Sequence, residues 1–291
     1  MSRADRFIDF FVVAVCIFCM VVCIVPFMHV ISVSLSSNSA LVSNSVTIFP
    51  KNLTFDPYKN VVFDLSTLTS LWLSVRVTVI YTIVSMIMTI LCAYPLSRKK
   101  LMGRKVLFPM MLLTMYFSGG LIPTYLLYKD LNLLNNFWVL ILPGCLSTYN
   151  MIILRSFFFS SVPEELVESA KLDGCSEFRL LGAIVLPLSK PVLATLSLFY
   201  AVSRWNQFQD ALFFISSAKL YPLQLRLYQI IRANASPDLT LLEGATISFV
   251  KVNPEAIKAA SIIFTMIPIL LVYPWLQKYF VKGVMIGAVK G

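Results

Sequence analysis

Histidine is almost missing from this sequence: His29 is the only one in 291 residues. No second titratable side chain stands near it in sequence for metal or nucleophilic chemistry, so packing or an interfacial place accounts for it. No Gly-x4-Gly-Lys-Ser/Thr run occurs either, which excludes a P-loop nucleotide hydrolase. Charge is scarce, with only 13% of residues Asp, Glu, Lys or Arg and only 14 of them acidic. A soluble domain normally carries about twice that share.

What fills the chain instead is apolar. Hydrophobic residues make up 58% of it and the mean hydropathy is +0.81, more than a soluble core of this length uses. A helix of about 20 apolar residues crosses a hydrocarbon layer of ~30 Å with its backbone satisfied internally. Six stretches qualify, at 10–34, 68–97, 106–128, 137–159, 192–217 and 256–280. The expectation is an all-α polytopic membrane protein forming one domain over 1–291. The first stretch is too long for a signal-peptide core and lacks a small-residue cleavage pattern after it, so it is read as a span.

The net charge of +10 reports orientation. With the amino end inside, the short loop 98–105 places Arg98, Lys99, Lys100, Arg104 and Lys105 in the cytoplasm, and short loops weigh most in the positive-inside rule. Both termini are then expected in the cytoplasm of a plasma-membrane protein. Cys16, Cys19, Cys23, Cys92 and Cys145 fall in spans and Cys175 in a cytoplasmic loop, so no disulfide framework is expected. Cys16, Cys19 and Cys23 share a helical face, for which small-residue packing is the better account than a metal site.

Several spans contain helix breakers: Gly119, Gly120 and Pro123 in the third, Pro143 and Gly144 in the fourth, Pro268 and Pro274 in the sixth. The Ser118-Gly119-Gly120-Leu121-Ile122-Pro123 cluster is the strongest case for a local break. Two long outer loops, 36–67 and 218–255, read as folded caps or partner contacts.

The loop at 160–191 is structured in composition. Ser161, Pro163 and Glu164 form a helix-start signal in which the Ser161 hydroxyl takes an orphan amide. Leu166, Val167, Ala170 and Leu172 alternate with Glu165, Glu168, Lys171 and Asp173, and Gly174 supplies the left-handed stop. A helix of about eleven residues, ~16 Å long, results. A second apolar segment, 178–188, then runs toward Pro187 and Pro191. An amphipathic helix resting on lipid headgroups is disfavoured, because Glu164, Glu165, Glu168, Asp173 and Glu177 outnumber the nearby cations.

Glu168-Ser169-Ala170, Gly174 and Ile184-Val185-Leu186-Pro187 resemble the EAA loop of binding-protein-dependent ABC importer permeases. That pattern is Glu-Ala-Ala, three residues, Gly, nine residues, Ile, one residue, Leu-Pro; every spacing fits, with Ser169 in place of the central alanine. The resemblance implies the type I permease fold with six transmembrane helices. It also implies a coupling helix seated in an ATPase subunit, with Glu165, Glu168, Ser169, Ala170, Asp173, Gly174, Leu186 and Pro187 as coupling residues. The end of the chain, 281–291, is similar to the tail of the smaller permease of maltose-type carbohydrate importers. Gly283, Gly287, Lys290 and Gly291 would then enter the interface of two ATPase subunits.

With residues 118–126 and 187–191, the likeness is greatest to the subgroup of Gram-positive bacteria that imports oligosaccharides or polysaccharide fragments. The implied partners are a second homologous permease, two ATP-binding cassette subunits holding ATP and Mg, and an extracellular substrate-binding lipoprotein. No cofactor is expected in this chain.

A sugar needs apolar faces for its C–H surface and amides or charges for its hydroxyls. The run Ser203-Arg204-Trp205-Asn206-Gln207-Phe208-Gln209-Asp210 puts such groups at membrane depth, where polarity is costly unless it faces protein or water. Trp205, Asn206 and Gln209 are the expected pathway lining. Tyr149, Asn150 and Arg76 fit either a pathway contact or an interhelical hydrogen bond. An intramembrane enzyme centred on Arg76, Arg204 and Asp210 would leave the loop spacing and the tail unexplained. An amino-acid or peptide permease would share the loop without this tail.

Overall fold

A computed structural model describes residues 3–235 and 253–288. In chain order the helices are α1 (Arg3–Leu35), α2 (Asn38–Val42), α3 (Asp56–Val62), α4 (Leu65–Ser97), α5 (Arg104–Tyr116), α6 (Leu121–Asp130) and α7 (Thr148–Ser161). There follow α8 (Glu164–Leu172), α9 (Glu177–Leu180), α10 (Leu186–Leu188), α11 (Lys190–Asn206), α12 (Gln209–Phe214), α13 (Leu223–Ala235) and α14 (Pro254–Ala288). Among the described residues there is no β-strand, only an isolated bridge between Ser36 and Leu53.

By length and composition, Ile8–Leu35, Leu65–Ser97 and Pro254–Val272 can each cross a membrane. Two bent pairs qualify jointly: α5 with α6, bent by 114°, and Glu177–Leu188 with α11, bent by 85°. The first bend falls at Phe117–Gly120, overlapping the expected cluster at Ser118–Gly120. Gly120 has φ +85 and ψ 172, a conformation reserved for glycine.

The fourth stretch departs further from a helix than a kink. A single 3-10 turn at Phe137–Leu140 gives way to irregular chain at 141–147 before α7 begins. Irregular backbone at membrane depth persists only where other groups satisfy it, and two tyrosines do so. Tyr81 donates its hydroxyl to the Gly144 carbonyl at 2.7 Å, and the Ser147 amide donates to the Tyr200 hydroxyl at 3.1 Å. Tyr200 and Thr89 are themselves hydrogen-bonded at 2.6 Å. Ser147 then caps α7 by accepting from the Asn150 amide.

The chain forms two compact units. In the unit of residues 1–69 with 226–267, Val61, Ile257 and Ala260 are buried against Tyr58, Ile230 and Phe264. The 36–67 loop is folded here. His29 Nδ1 meets the Thr47 carbonyl at 2.6 Å, Ser34 meets the Tyr58 hydroxyl at 2.8 Å, and Asp64 starts α4 by accepting from Thr67 N–H and Oγ1–H. Most of the second outer loop, 236–252, lies outside the described residues.

The unit of residues 70–225 with 268–291 holds the larger core. Met151, Leu154, Leu180 and Leu196 are fully enclosed, with Tyr94, Phe158, Val167 and Val185 around them. In lipid such burial gains packing more than transfer energy. The core therefore fixes geometry between the ends of α4 and α7 and the segment 164–188.

Candidate functional site

The loop expected to carry function is a rigid turn-linked helix pair. α8 has Glu164 and Glu165 in its first turn and Lys171 in its last, each sign favourable to the helix dipole. Its start corrects one expectation: Ser161 is the last residue of α7, its hydroxyl faces that of Ser160, and no side chain caps α8, whose N-cap is Pro163. The fixed φ of Pro163 and the two acids organise the first turn instead. At the other end Gly174 has φ +75. Its amide bonds to the Lys171 carbonyl at 3.0 Å while the Cys175 amide bonds to that of Ala170 at 2.9 Å, a Schellman closure.

Ser176 then caps α9 through the Arg179 amide. Leu181–Val185 forms one π-turn, closed by the Leu186 amide on the Leu181 carbonyl, before α10 carries Leu186 and Pro187. On this pair Val167 and Leu180 point inward and are buried. Glu165, Glu168, Ser169, Asp173, Gly174 and Pro187 are exposed, and Ala170 and Leu186 are half-buried. Two large apolar side chains beside the Gly174 turn stand free, Leu172 at 88% and Phe178 at 81% exposure.

Two polar ties fasten the pair to the end of α4, and a bond within that end supports one of them. Tyr94 donates its hydroxyl to Glu177 Oε2 at 2.7 Å, Arg98 donates to the Tyr94 oxygen at 2.9 Å, and Lys99 pairs with Glu164. Lys171 pairs with Glu177 from within the loop. The Lys171 bond, then the Tyr94 bond, holds the Glu177 carboxyl below the usual glutamate range. Lys99 does the same for Glu164. A cavity of about 730 Å³ opens between these parts, lined by Tyr94, Arg98, Leu101, Phe158 and Glu168 among others. Sequence reasoning used the 98–105 cations only for orientation and missed their role as anchors. The signal was the run of acids facing them across the loop.

The second expected site is the corner between α11 and α12. Arg204 is 5% exposed and donates Nη1–H to Asp210 Oδ2 at 2.6 Å, with its guanidinium 5.1 Å from the Tyr81 ring centre. The pair closes the break at Gln207–Phe208, and the Gln207 amide bonds to the Arg204 carbonyl at 3.2 Å. The structure turns Trp205 inward, at 6% exposure, which corrects its expected place on an open wall. Its indole is a packing element, because the break that frees Asn206 leaves Trp205 on the inner face of the last turn. Asn206 and Gln209 are exposed, although Asn206 spends one N–H on the Val202 carbonyl at 2.9 Å. Tyr149 is 59% exposed and Asn150 is buried. Arg76 lies over the Phe137 ring at 5.6 Å.

In the tail, α14 continues through Gly283 and Gly287 to Ala288. Lys290 and Gly291 lie outside the described residues.

Residues 78–286 match the family described as "Binding-protein-dependent transport system inner membrane component". The chain is 44% identical over 268 residues to Protein LplC of Bacillus subtilis (strain 168), covering 92% of this chain and 90% of that protein. It is 40% identical over 287 residues to the polygalacturonan/rhamnogalacturonan transport system permease protein YtcP of the same organism, covering 99% of both. A chain in the crystal structure of a bacterial ABC transporter involved in the import of the acidic polysaccharide alginate superposes with a TM-score of 0.87 at 30% identity, over 96% of this chain and 99% of that one. A helical membrane scaffold, an EAA-spaced loop and these relatives place the chain in one family: it belongs to the inner membrane components of binding-protein-dependent ABC transport systems.

Proposed function

We propose that this chain is one of two permease subunits of an importer that moves an oligosaccharide inward by alternating access, and that the loop 160–191 is its ATPase socket. The observation that carries the socket is the exposed apolar pair Leu172 and Phe178 on a turn held to α4 by Tyr94 and Lys99. A tied helix pair transmits a rigid-body displacement to the spans, where a slack loop would absorb it. Glu165, Glu168, Ser169, Asp173 and Gly174 form the face offered to the ATPase, with Ala170, Leu186 and Pro187 setting its shape. ATP and Mg are held by the ATPase pair, between whose subunits the tail with Gly283, Gly287, Lys290 and Gly291 enters. Both termini face the cytoplasm, and an extracellular lipoprotein delivers the sugar.

The substrate class is supported by relatives whose names refer to saccharides, two of them to acidic polymers. Arg76 is exposed on α4 and pairs with no carboxylate among the described residues, which suits a uronic-acid carboxylate passing by. Asn206, Gln209 and Tyr149 supply hydroxyl partners and a ring face. Trp205 and Asn150 support that wall from behind.

Co-purification tests the socket: this chain is expected to bring down a different permease and an ATPase dimer. Glu168→Lys is expected to lower ATPase recovery several-fold, and undiminished recovery would sink the assignment. Uptake of oligogalacturonides against neutral oligosaccharides and peptides tests the cargo. A peptide preference would move the protein to another branch of importers.

A further inference from the structure

Two arginines and two phenylalanines of α5 and α7 form a reciprocal cross. The Arg104 guanidinium of α5 lies 5.7 Å from the ring centre of Phe159 on α7. The Arg155 guanidinium of α7 lies 4.1 Å from that of Phe108 on α5. Arg104 and Phe108 are one helical turn apart, as are Arg155 and Phe159, so each helix offers a cation to the other's ring. Arg155 also donates Nε–H to the Leu96 carbonyl at 3.0 Å. Neither cation pairs with a carboxylate among the described residues; nearby Glu164 is taken by Lys99.

That arrangement is short of negative charge. An aromatic face attracts a cation through its quadrupole but neutralises nothing, and two half-buried like charges at a membrane boundary repel. Arg104 and Lys105 also occupy the first turn of α5, where the helix dipole disfavours positive charge. No side chain caps that turn; its N-cap is Gly103. An anion placed here would meet two guanidinium groups and the positive end of a 13-residue helix at once.

Just beyond the cross, α5 presents Leu107, Met110 and Leu113 at 47%, 58% and 55% exposure. Charge and apolar surface adjoin in the order of a lipid, headgroup then chain. We propose that the Arg104–Phe108–Arg155–Phe159 cross binds the phosphate of an anionic phospholipid, whose acyl chain lies along Leu107, Met110 and Leu113. Bound lipid seals the contact between α5 and α7 beside the ties of the 164–188 loop. Its place in the cytoplasmic leaflet rests on the orientation proposed above.

The test is the amount of phosphatidylglycerol retained per transporter, measured by mass spectrometry on the intact complex after detergent washing. Arg104→Gln with Arg155→Gln is expected to lower retention on the order of tenfold. Lys100→Gln with Lys190→Gln removes the same charge from outside the cross, at exposed positions off α5, and is expected to change it little. Arg104→Lys with Arg155→Lys is expected to keep much of the lipid. Unchanged retention in the Gln pair, or equal losses in both Gln pairs, would overturn the site. Loss of a protein subunit with lipid retention intact would assign the cross to an acidic partner chain and also overturn it. Should the Gln pair fail to assemble, Arg104→Gln alone is read in the same assay with the same criteria. Labelling of Lys100→Cys from the outside alone would reverse the orientation while leaving the retention difference standing.

Discussion

Tyr94 in the last turn of α4 donates its hydroxyl to Glu177 in the loop, 83 residues later, at 2.7 Å. Glu177 also receives Lys171, so one carboxylate joins the span to both halves of the helix pair. Tyr94→Phe keeps the ring against Phe158 and removes this tie together with the bond that the hydroxyl accepts from Arg98. A hydrogen bond to a charged group contributes about 1.5–3 kcal/mol, and partial exposure of Glu177 puts the cost near about 1 kcal/mol. Transport is expected to fall several-fold while the assembled complex keeps its basal ATP hydrolysis. Paired uptake and ATPase assays on the reconstituted transporter check this.

The same ties set an acid limit. The carboxyls of Glu177 and Glu164 titrate below their usual range because of Lys171 and Tyr94 in one case and Lys99 in the other. A depressed folded-state value means the stabilisation is fully present above the unfolded value and is lost as pH falls through the folded one. Protection of the loop from proteolysis is expected to hold at neutral pH and decline below the ordinary glutamate range. Glu177→Gln should blunt that decline, and an unaltered profile in this variant would count against the ties.

Gly174 isolates backbone conformation from space. A Cβ there would meet nothing within 4 Å, yet φ is +75. Gly174→Ala is expected to cost about 1 kcal/mol through the left-handed backbone alone, and Gly174→Asn less, since Asn tolerates that region. Gly174→Val should disturb the turn most. ATPase recovery with the purified chain is expected to rank Gly, Asn, Ala, Val.

Removing one partner of the Arg204–Asp210 pair leaves a buried charge. Asp210→Leu is expected to destabilise the chain by about 3–5 kcal/mol. Adding Arg204→Leu should recover much of that loss. Thermal unfolding in one detergent, compared across the two single variants and the double, measures the coupling.

The reach of the sequence differed by element for physical reasons. The limits of α8 and its stop at Gly174 were legible because capping chemistry is local: a proline, two acids and a glycine act within four residues. The break at 118–123 was legible for the same reason. The irregular chain at 141–147 showed only as Pro143 and Gly144, because what stabilises it, Tyr81 and Tyr200, lies on α4 and α11. The burial of Trp205 was not legible, since which side of a helix end faces inward depends on where the break falls. The partners of Lys99, Arg104 and Arg155 were hidden for want of any local rule that pairs residues over such separations.

The π-turn at Leu181–Val185 gives the loop a phase as well as a length. One extra residue in a turn rotates everything after it by about 100° relative to an uninterrupted helix. The direction in which Leu186 and Pro187 face, and the azimuth at which α11 enters the membrane, therefore depend on that single surplus residue. Gly182 within the turn is exposed and would meet nothing within 4 Å if given a Cβ, so there is room for the ladder to exchange five-residue for four-residue pairing. Such an exchange would convert a twist of the socket into a change in the direction from which the chain enters the 85° bend before α11.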